Sequence, residues 1–211
     1  MTSACVVFVV DDDPSVRASL KFLVSTVGLQ VESFDSAEAF LNKKPPDGPS
    51  CLVLDVRLRG MSGLDLQREL AARDLRIPIV FITGHGDIPM SVRAMKAGAV
   101  EFLSKPFRDQ DLLDAIRAAL ERDRARRDQE KEVTELQQRF ESLTLRQREV
   151  TAMVVSGFLN KQIADELGTA ENTVKVHRSR AMEKMRAKSL ADLIKMIEKV
   201  KLPHKDLRKR K

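Results

Sequence analysis

The sequence predicts an α/β domain built on a doubly wound, five-stranded parallel sheet, followed by a long helix and a small all-α domain of four helices. Three observations predict it. Between residues 5 and about 120, short apolar runs alternate with stretches of helical periodicity. From Glu121 an almost wholly charged stretch without Gly or Pro carries the last helical pattern onward. After residue 143 the strand-like runs stop, and Gly157 and Gly168 divide helix-length segments.

The elements follow in order. Strands are expected at residues 5–10, 29–34, 51–54, 77–82 and 100–103. Helical spacing lies between and after them, at Val16/Leu20/Leu23/Val24, Ala37/Phe40/Leu41, Leu64/Leu66/Leu70, Met90/Ala94/Met95 and Leu112/Leu113/Ile116/Leu120. Strands that alternate with helices form a parallel sheet covered on both faces, and ligands bind beyond its carboxyl edge where strand order reverses. Val133, Leu136, Phe140 and Leu143 recur at a three-then-four spacing, so residues 121–142 read as a helix running on from the fifth. That helix is either a short dimerising coil or a rigid linker. Four further helices are expected at about 144–156, 160–167, 171–186 and 189–200. The chain therefore divides into a domain over 1–120, a helical linker over 121–142, a second domain over 143–202 and a basic tail over 203–211.

Composition narrows the function classes. Hydrophobic residues are 43% and charged residues 32%, so the chain can bury a core and is not a disordered polyelectrolyte. No apolar run is long enough to cross a bilayer, so no membrane role is expected. The first apolar run is preceded by no basic residue and ends in Asp11-Asp12-Asp13, which does not fit a secretory signal, and a cytoplasmic location is expected. Cys5 and Cys51 alone make neither a disulfide framework nor a zinc cluster, and two buried thiols are expected.

The net charge of +6 is unevenly spread. Residues 1–120 carry 14 Lys/Arg against 16 Asp/Glu, residues 121–142 carry 6 against 7, and residues 143–211 carry 17 against 8. A basic domain joined to a slightly acidic one points to a polyanion partner for the C-terminal part, with nucleic acid foremost. A solvated tail at Lys205, Arg208, Lys209, Arg210 and Lys211 explains only part of the surplus.

The chemistry concentrates at strand ends. Asp11, Asp12 and Asp13 follow the first strand and Asp55 follows the third. Adjacent parallel strands that both end in acids crowd carboxylates together, which is costly without a cation. Hard oxygen ligands on a rigid edge suit Mg2+ (or Mn2+). Asp13 by itself reads as the cap of a helix that starts near Pro14. Thr83 closes the fourth strand and Lys105 the fifth, so a hydroxyl and an ammonium converge where a phosphoryl group on one of the acids would need them.

These residues stand in four ordered blocks: Val-Val-Asp11-Asp12-Asp13, Leu-Asp55-Val-Arg-Leu-Arg-Gly-Met-Ser-Gly63, Phe-Ile-Thr83-Gly-His-Gly and Lys96-Ala-Gly-Ala-Val-Glu-Phe102-Leu-Ser-Lys105-Pro106-Phe107. In this respect residues 1–120 resemble the receiver domain of two-component response regulators, a flavodoxin-like fold. The resemblance implies Asp55 as phosphoacceptor and Mg2+ held by Asp12 and Asp55, by Asp11 through water and by the backbone carbonyl of Arg57. It implies Thr83 and Lys105 as contacts to the phosphoryl oxygens, Thr83 and Phe102 as the switch pair, a cis Lys105–Pro106 peptide, and a dimer face that includes Met95, Lys96 and Glu101. The chain departs from the pattern at Arg59, where proline is usual, and at Gly84, where alanine or serine is common; both substitutions predict an altered acyl-phosphate lifetime.

The stretch from Asn160 to Arg180 has a short helix, a Gly-containing turn and a longer helix, the punctuation of a helix-turn-helix. Ile163, Ala164 and Leu167 are expected to pack on Val174. Leu143-Thr-Leu-Arg-Gln-Arg-Glu149-Val150 and Thr173-Val-Lys-Val-His177 make residues 143–200 resemble the LuxR/FixJ-type DNA-binding domain. That resemblance implies an internal ion pair for Glu149, base contacts from Lys175, Val176, Arg178 and Ser179, and phosphate contacts from Asn160, Lys161, Thr173, His177 and Arg180. Ala170 stands where a capping serine is usual, and Met182 and Met185 replace leucine-like core residues. His177 has no Cys or second His near it and is not read as a metal ligand.

The expected function is a phosphorylation-switched transcription regulator. A histidine kinase phosphorylates Asp55, the receiver dimerises, and paired basic domains bind double-stranded promoter DNA, with RNA polymerase a further partner. No enzymatic activity beyond self-catalysed phosphoryl transfer and hydrolysis is expected. Two alternatives stand beside it: constitutive DNA binding with a vestigial receiver, and a haloacid-dehalogenase-type phosphatase with Asp11 as nucleophile and Asp13 as acid/base.

Overall fold

The computed structural model describes residues 5–44, 46–84 and 87–200. The proposed basic tail over 203–211 lies outside them. The chain forms two compact units that divide between Arg127 and Asp128.

The first unit contains strands β1 (Val6–Val10), β2 (Gln30–Phe34), β3 (Ser50–Asp55), β4 (Ile79–Thr83) and β5 (Glu101–Ser104). Helices α1 (Pro14–Thr26), α2 (Ala37–Leu41), α3 (Gly63–Ala72), α4 (Ile88–Lys96) and α5 (Asp109–Glu141) follow them in alternation, α5 belonging to this unit as far as Arg127. All strands are parallel, in the order β2-β1-β3-β4-β5. Strand order reverses at β1, which pairs with β2 on one side and β3 on the other. Strand ends shift by one or two residues from the sequence reading, the usual scatter of boundaries. One shift matters: Asp55 is the last residue of β3 and not the residue after it.

Alternate residues of each strand feed two cores. Val6, Phe8 and Val10 join Leu52, Leu54, Phe81, Phe40, Leu66 and Ala94 on one face of the sheet. Val7 and Val9 join Cys51, Val53, Val80, Leu20, Val24, Leu112 and Ile116 on the other. Cover on both faces is why β1, β3 and β4 are unbroken apolar runs without polar alternation. Cys51 is buried, and burial pushes its thiol up, so it packs as a small hydrophobe. Cys5 is only half-buried, contrary to the expectation of two buried thiols, because β1 starts after it.

The helix α5 runs unbroken past the 120 boundary. Asp123, fully buried, explains why residues 121–127 belong to the first unit: its Oδ2 accepts from the Ser50 amide at 2.9 Å and from Arg127 Nε at 2.7 Å. The charged stretch thus grips the start of β3.

The second unit contains α6 (Leu145–Val155), α7 (Asn160–Glu166), α8 (Glu171–Met185) and α9 (Leu190–Val200). Thr144 and Gln147 form a reciprocal capping box at the start of α6. Val150, Val154, Ile163, Ala164 and Val174 form one core, with Leu167 packed against it. Leu143, Ala181, Met185, Leu193 and Ile197 form another, with Phe140 and Met182 against it. Of the seam at Val133, Leu136, Phe140 and Leu143, Leu143 lies in this second core, Phe140 packs against it and Leu136 is buried.

Candidate functional site

The β1–β3 register sets Val10 opposite Leu54, so Asp11 and Asp55 emerge side by side at the carboxyl edge where strand order reverses. Oxygens of Asp11, Asp12 and Asp55 lie within 4.8 Å of one another. Asp11 is wholly buried and Asp55 nearly so. Burial pushes the Asp55 carboxyl up, Lys105 pulls it down and Asp11 pushes it up again. Such crowding of hard oxygens beside a rigid sheet edge fits a small divalent cation, as the donor set implied.

Lys105 reaches this cluster from the end of β5. Its Nζ lies 2.8 Å from Asp11 Oδ2 and 3.6 Å from Asp55 Oδ2. The Lys105 amide donates to the Thr83 carbonyl at 2.7 Å, and the next peptide, Lys105–Pro106, is cis. Thr83 is buried at the end of β4, whose Ile82 pairs with Asp55. The Arg57 amide donates to Asp55 Oδ1 at 3.4 Å, which orients the carboxylate from the loop that follows β3.

Asp13 has a different task. Its side chain caps α1, accepting from the Ser15 amide at 2.7 Å and from the Val16 amide at 3.4 Å. The Ser15 amide, first among several causes, holds its carboxyl below the ordinary range. This is the helix-capping role that Asp13 by itself was expected to have.

Two features at this edge are less visible in sequence. The Arg59 guanidinium pairs with Asp12, Nε to Oδ2 at 3.2 Å, although its side chain is 91% exposed. Only its departure from the family pattern marked it beforehand. Gly63, at the start of α3, lies against the end of β3: a Cβ there would sit 2.3 Å from the Asp55 carbonyl oxygen. Gly84, by contrast, has nothing within 4 Å of such a Cβ.

Phe102 is half-buried in β5, its ring 6.1 Å from that of Phe81. Met95 and Lys96 are exposed on α4, and Glu101 is exposed on β5, which packs beside it.

In the second unit, helical spacing places Thr173, Lys175, Val176, Ser179 and Arg180 on an exposed face of α8, opposite buried Val174, Ala181 and Met185. Lys161 is exposed on α7. Lys175 also pairs with Glu171 at 3.0 Å. Two further expected contact residues, His177 and Arg178, are half-buried at the edges of this face. Arg178 Nη1 lies 3.4 Å from Oδ1 of Asn160 at the start of α7, and the His177 Nδ1 atom is buried without a hydrogen-bond partner among the described residues. Glu149 pairs with Arg146 at 3.1 Å, the internal ion pair that was expected. No side chain caps α8 at Ala170.

Comparison with known proteins agrees with this architecture. A family model described as "Response regulator receiver domain" matches residues 7–117, and one described as "Bacterial regulatory proteins, luxR family" matches residues 141–197. The chain belongs to the response regulators, as a transcription factor of two-component systems with a LuxR/FixJ-type DNA-binding domain. Nodulation protein W of Bradyrhizobium diazoefficiens is 59% identical over 93% of this chain and 87% of its own length. Response regulator protein TodT of Pseudomonas putida is 50% identical over 94% and 87%. The solved structure of response regulator StyR superposes with a TM-score of 0.85 at 53% identity, over 93% of this chain and 100% of that one. Among the described residues no helix is long and apolar enough to cross a membrane.

Proposed function

We propose that this regulator is switched by phosphorylation of Asp55 by a histidine kinase, and that the phosphorylated form dimerises on promoter DNA. The observation that carries the reading is the convergence of Asp11, Asp12, Asp55 and Lys105 at one sheet edge of a chain that also holds a DNA-binding domain. An Asp55 carboxylate oxygen attacks the phosphorus of a phosphohistidine; the P–N bond breaks, an acyl phosphate forms and the imidazole leaves. Asp12, Asp55, the Arg57 backbone carbonyl and, through water, Asp11 would hold Mg2+ (or Mn2+), which when bound would supply positive charge to offset that of the incoming phosphoryl group. Lys105 draws the carboxyl of Asp55 toward its ionised, nucleophilic form, and afterwards pairs with a phosphoryl oxygen. Thr83 donates its hydroxyl to another, and Phe102 turns inward behind it. The face containing Met95, Lys96 and Glu101 then favours a dimer. Apart from phosphoryl transfer to Asp55 and its hydrolysis, we assign no enzymatic activity.

Paired DNA-binding units read two half-sites, with Lys175, Val176, Arg178 and Ser179 at base edges and Asn160, Lys161, Thr173, His177 and Arg180 at phosphates. RNA polymerase is the further partner at the promoter, and the cytoplasm the compartment.

Intact-mass spectrometry after incubation with acetyl phosphate and Mg2+ tests the chemistry. One added phosphoryl group, absent in Asp55→Asn, is expected; no adduct would favour the vestigial-receiver alternative. Sedimentation with and without a phosphoryl mimic tests dimerisation, and a monomer in both states would remove that step.

A further inference from the structure

We infer that Arg59 is a displaceable counter-ion of Asp12 that weakens divalent-cation binding at the acidic edge. The inference rests on reading Asp11, Asp12 and Asp55 as the cation site. It goes further in giving a loop residue control over how readily that site fills.

The charges make the case. Three carboxylates face one another, and Lys105 is shared between Asp11 and Asp55, at 2.8 and 3.6 Å. Asp12 has a separate partner, Arg59, with Nε 3.2 Å from Oδ2. The two partners differ in anchorage: Lys105 is 24% exposed, whereas Arg59 is 91% exposed and leans in from solvent. A divalent ion taking an oxygen of Asp12 competes with the guanidinium for the same carboxylate and repels it afterwards.

Charge counting gives the sign in each state. Three carboxylates and Lys105 leave two negative charges, which a divalent ion would neutralise; Arg59 cancels one of them in advance. Arg59 therefore opposes the cation in the resting protein. A phosphoryl dianion on Asp55 reverses this, because one negative charge then remains at the edge and the freed guanidinium balances it. Filling of the site is thereby coupled to phosphorylation through one exposed arm.

Titration of the full chain with Mn2+, followed by the electron paramagnetic resonance of the free ion, tests this. Arg59→Gln is expected to bind Mn2+ about 1.5-fold to fivefold more tightly than the natural protein, the range for loss of one exposed ion pair. Arg59→Lys is expected to restore the natural affinity, and the gain in Arg59→Gln should shrink at about 1 M salt, where screening acts over roughly 3 Å. Equal or weaker binding in Arg59→Gln, or equal tightening in Gln and Lys variants, overturns the inference. Asp12→Asn separates the two levels: if it binds Mn2+ like the natural protein, or if no variant binds the ion, the cation-site reading itself fails.

Discussion

The two units place their working charges in opposite surroundings. In the first, Asp11, Asp55 and Lys105 are wholly or largely withdrawn from solvent, and each is held by others in the set. In the second, Lys175, Ser179 and Arg180 stand on an open helix face, and Glu171, the acid that pairs with Lys175, is exposed as well. Chemistry on a small anion needs fixed, desolvated groups, whereas reading a polyanion needs mobile arms in water. Substitutions at the first site should therefore disturb fold and function together. Those on the second surface should separate them.

The contrast is greatest at Gly63. A Cβ at this position would meet the Asp55 carbonyl oxygen at 2.3 Å and the Val56 Cα at 3.1 Å, both backbone atoms that cannot swing aside. Gly63→Ala is expected to cost about 2–4 kcal/mol and to displace the end of β3. The chain has no Trp or Tyr, so urea unfolding is followed by far-UV circular dichroism. Phosphoryl uptake should fall in the same variant. A loss below about 0.5 kcal/mol, the scale of an ordinary surface change, would show that α3 shifts freely against the sheet.

Asp123 tests the far edge of the same unit. Its removal strands the buried Ser50 amide and deprives Arg127 of its carboxylate. Asp123→Ala should cost about 1–3 kcal/mol, the penalty for orphaning a buried donor. Hydrogen exchange should show residues 121–127 loosened while the carboxyl edge stays protected. Protection unchanged at 121–127 would place the anchor elsewhere.

Asp123 also marks how far the sequence can be read. Asp55, Thr83 and Lys105 were legible because each closes an apolar run, and a parallel sheet brings such ends to one edge. Asp123 sits in a stretch that looks uniformly solvated, and its partner Ser50 lies 73 residues away. Local pattern carries no trace of such a contact. The same holds for Arg59, whose pairing with Asp12 depends on the path of a loop. The helix-turn-helix itself was legible from Gly168 and the apolar spacing, since these decide where chain reverses and which side is buried.

A smaller effect is expected at Asp55 itself. Burial is the first cause of its raised carboxyl, so the folded protein binds that proton more tightly than the unfolded chain does. Stability from this group is fully present below the ordinary carboxylate range near about 4 and is lost as pH rises through the raised value. Asp55→Asn should therefore stabilise the cation-free protein at neutral pH, with the gain vanishing toward about pH 4. Thermal unfolding of both proteins across that range checks the sign; a gain independent of pH would mean that the amide acts by packing and not by charge.

At the exposed end of the comparison, α8 starts at Ala170 with extended backbone, φ −77° and ψ 145°, and no side-chain cap. Ser36, Ser62 and Thr144 cap α2, α3 and α6 in the same chain, each accepting from an amide in the first turn. Ala170→Ser supplies the missing acceptor to the Asn172 or Thr173 amide and should stabilise the second unit by about 1 kcal/mol. A neutral hydroxyl adds no phosphate charge, so the salt dependence of DNA binding should stay as it is. A gain in stability with an unchanged salt slope would show that the start of the recognition helix and its basic face are tuned separately. A steeper slope would show that the uncapped first turn leaves the basic face incompletely ordered in the free protein.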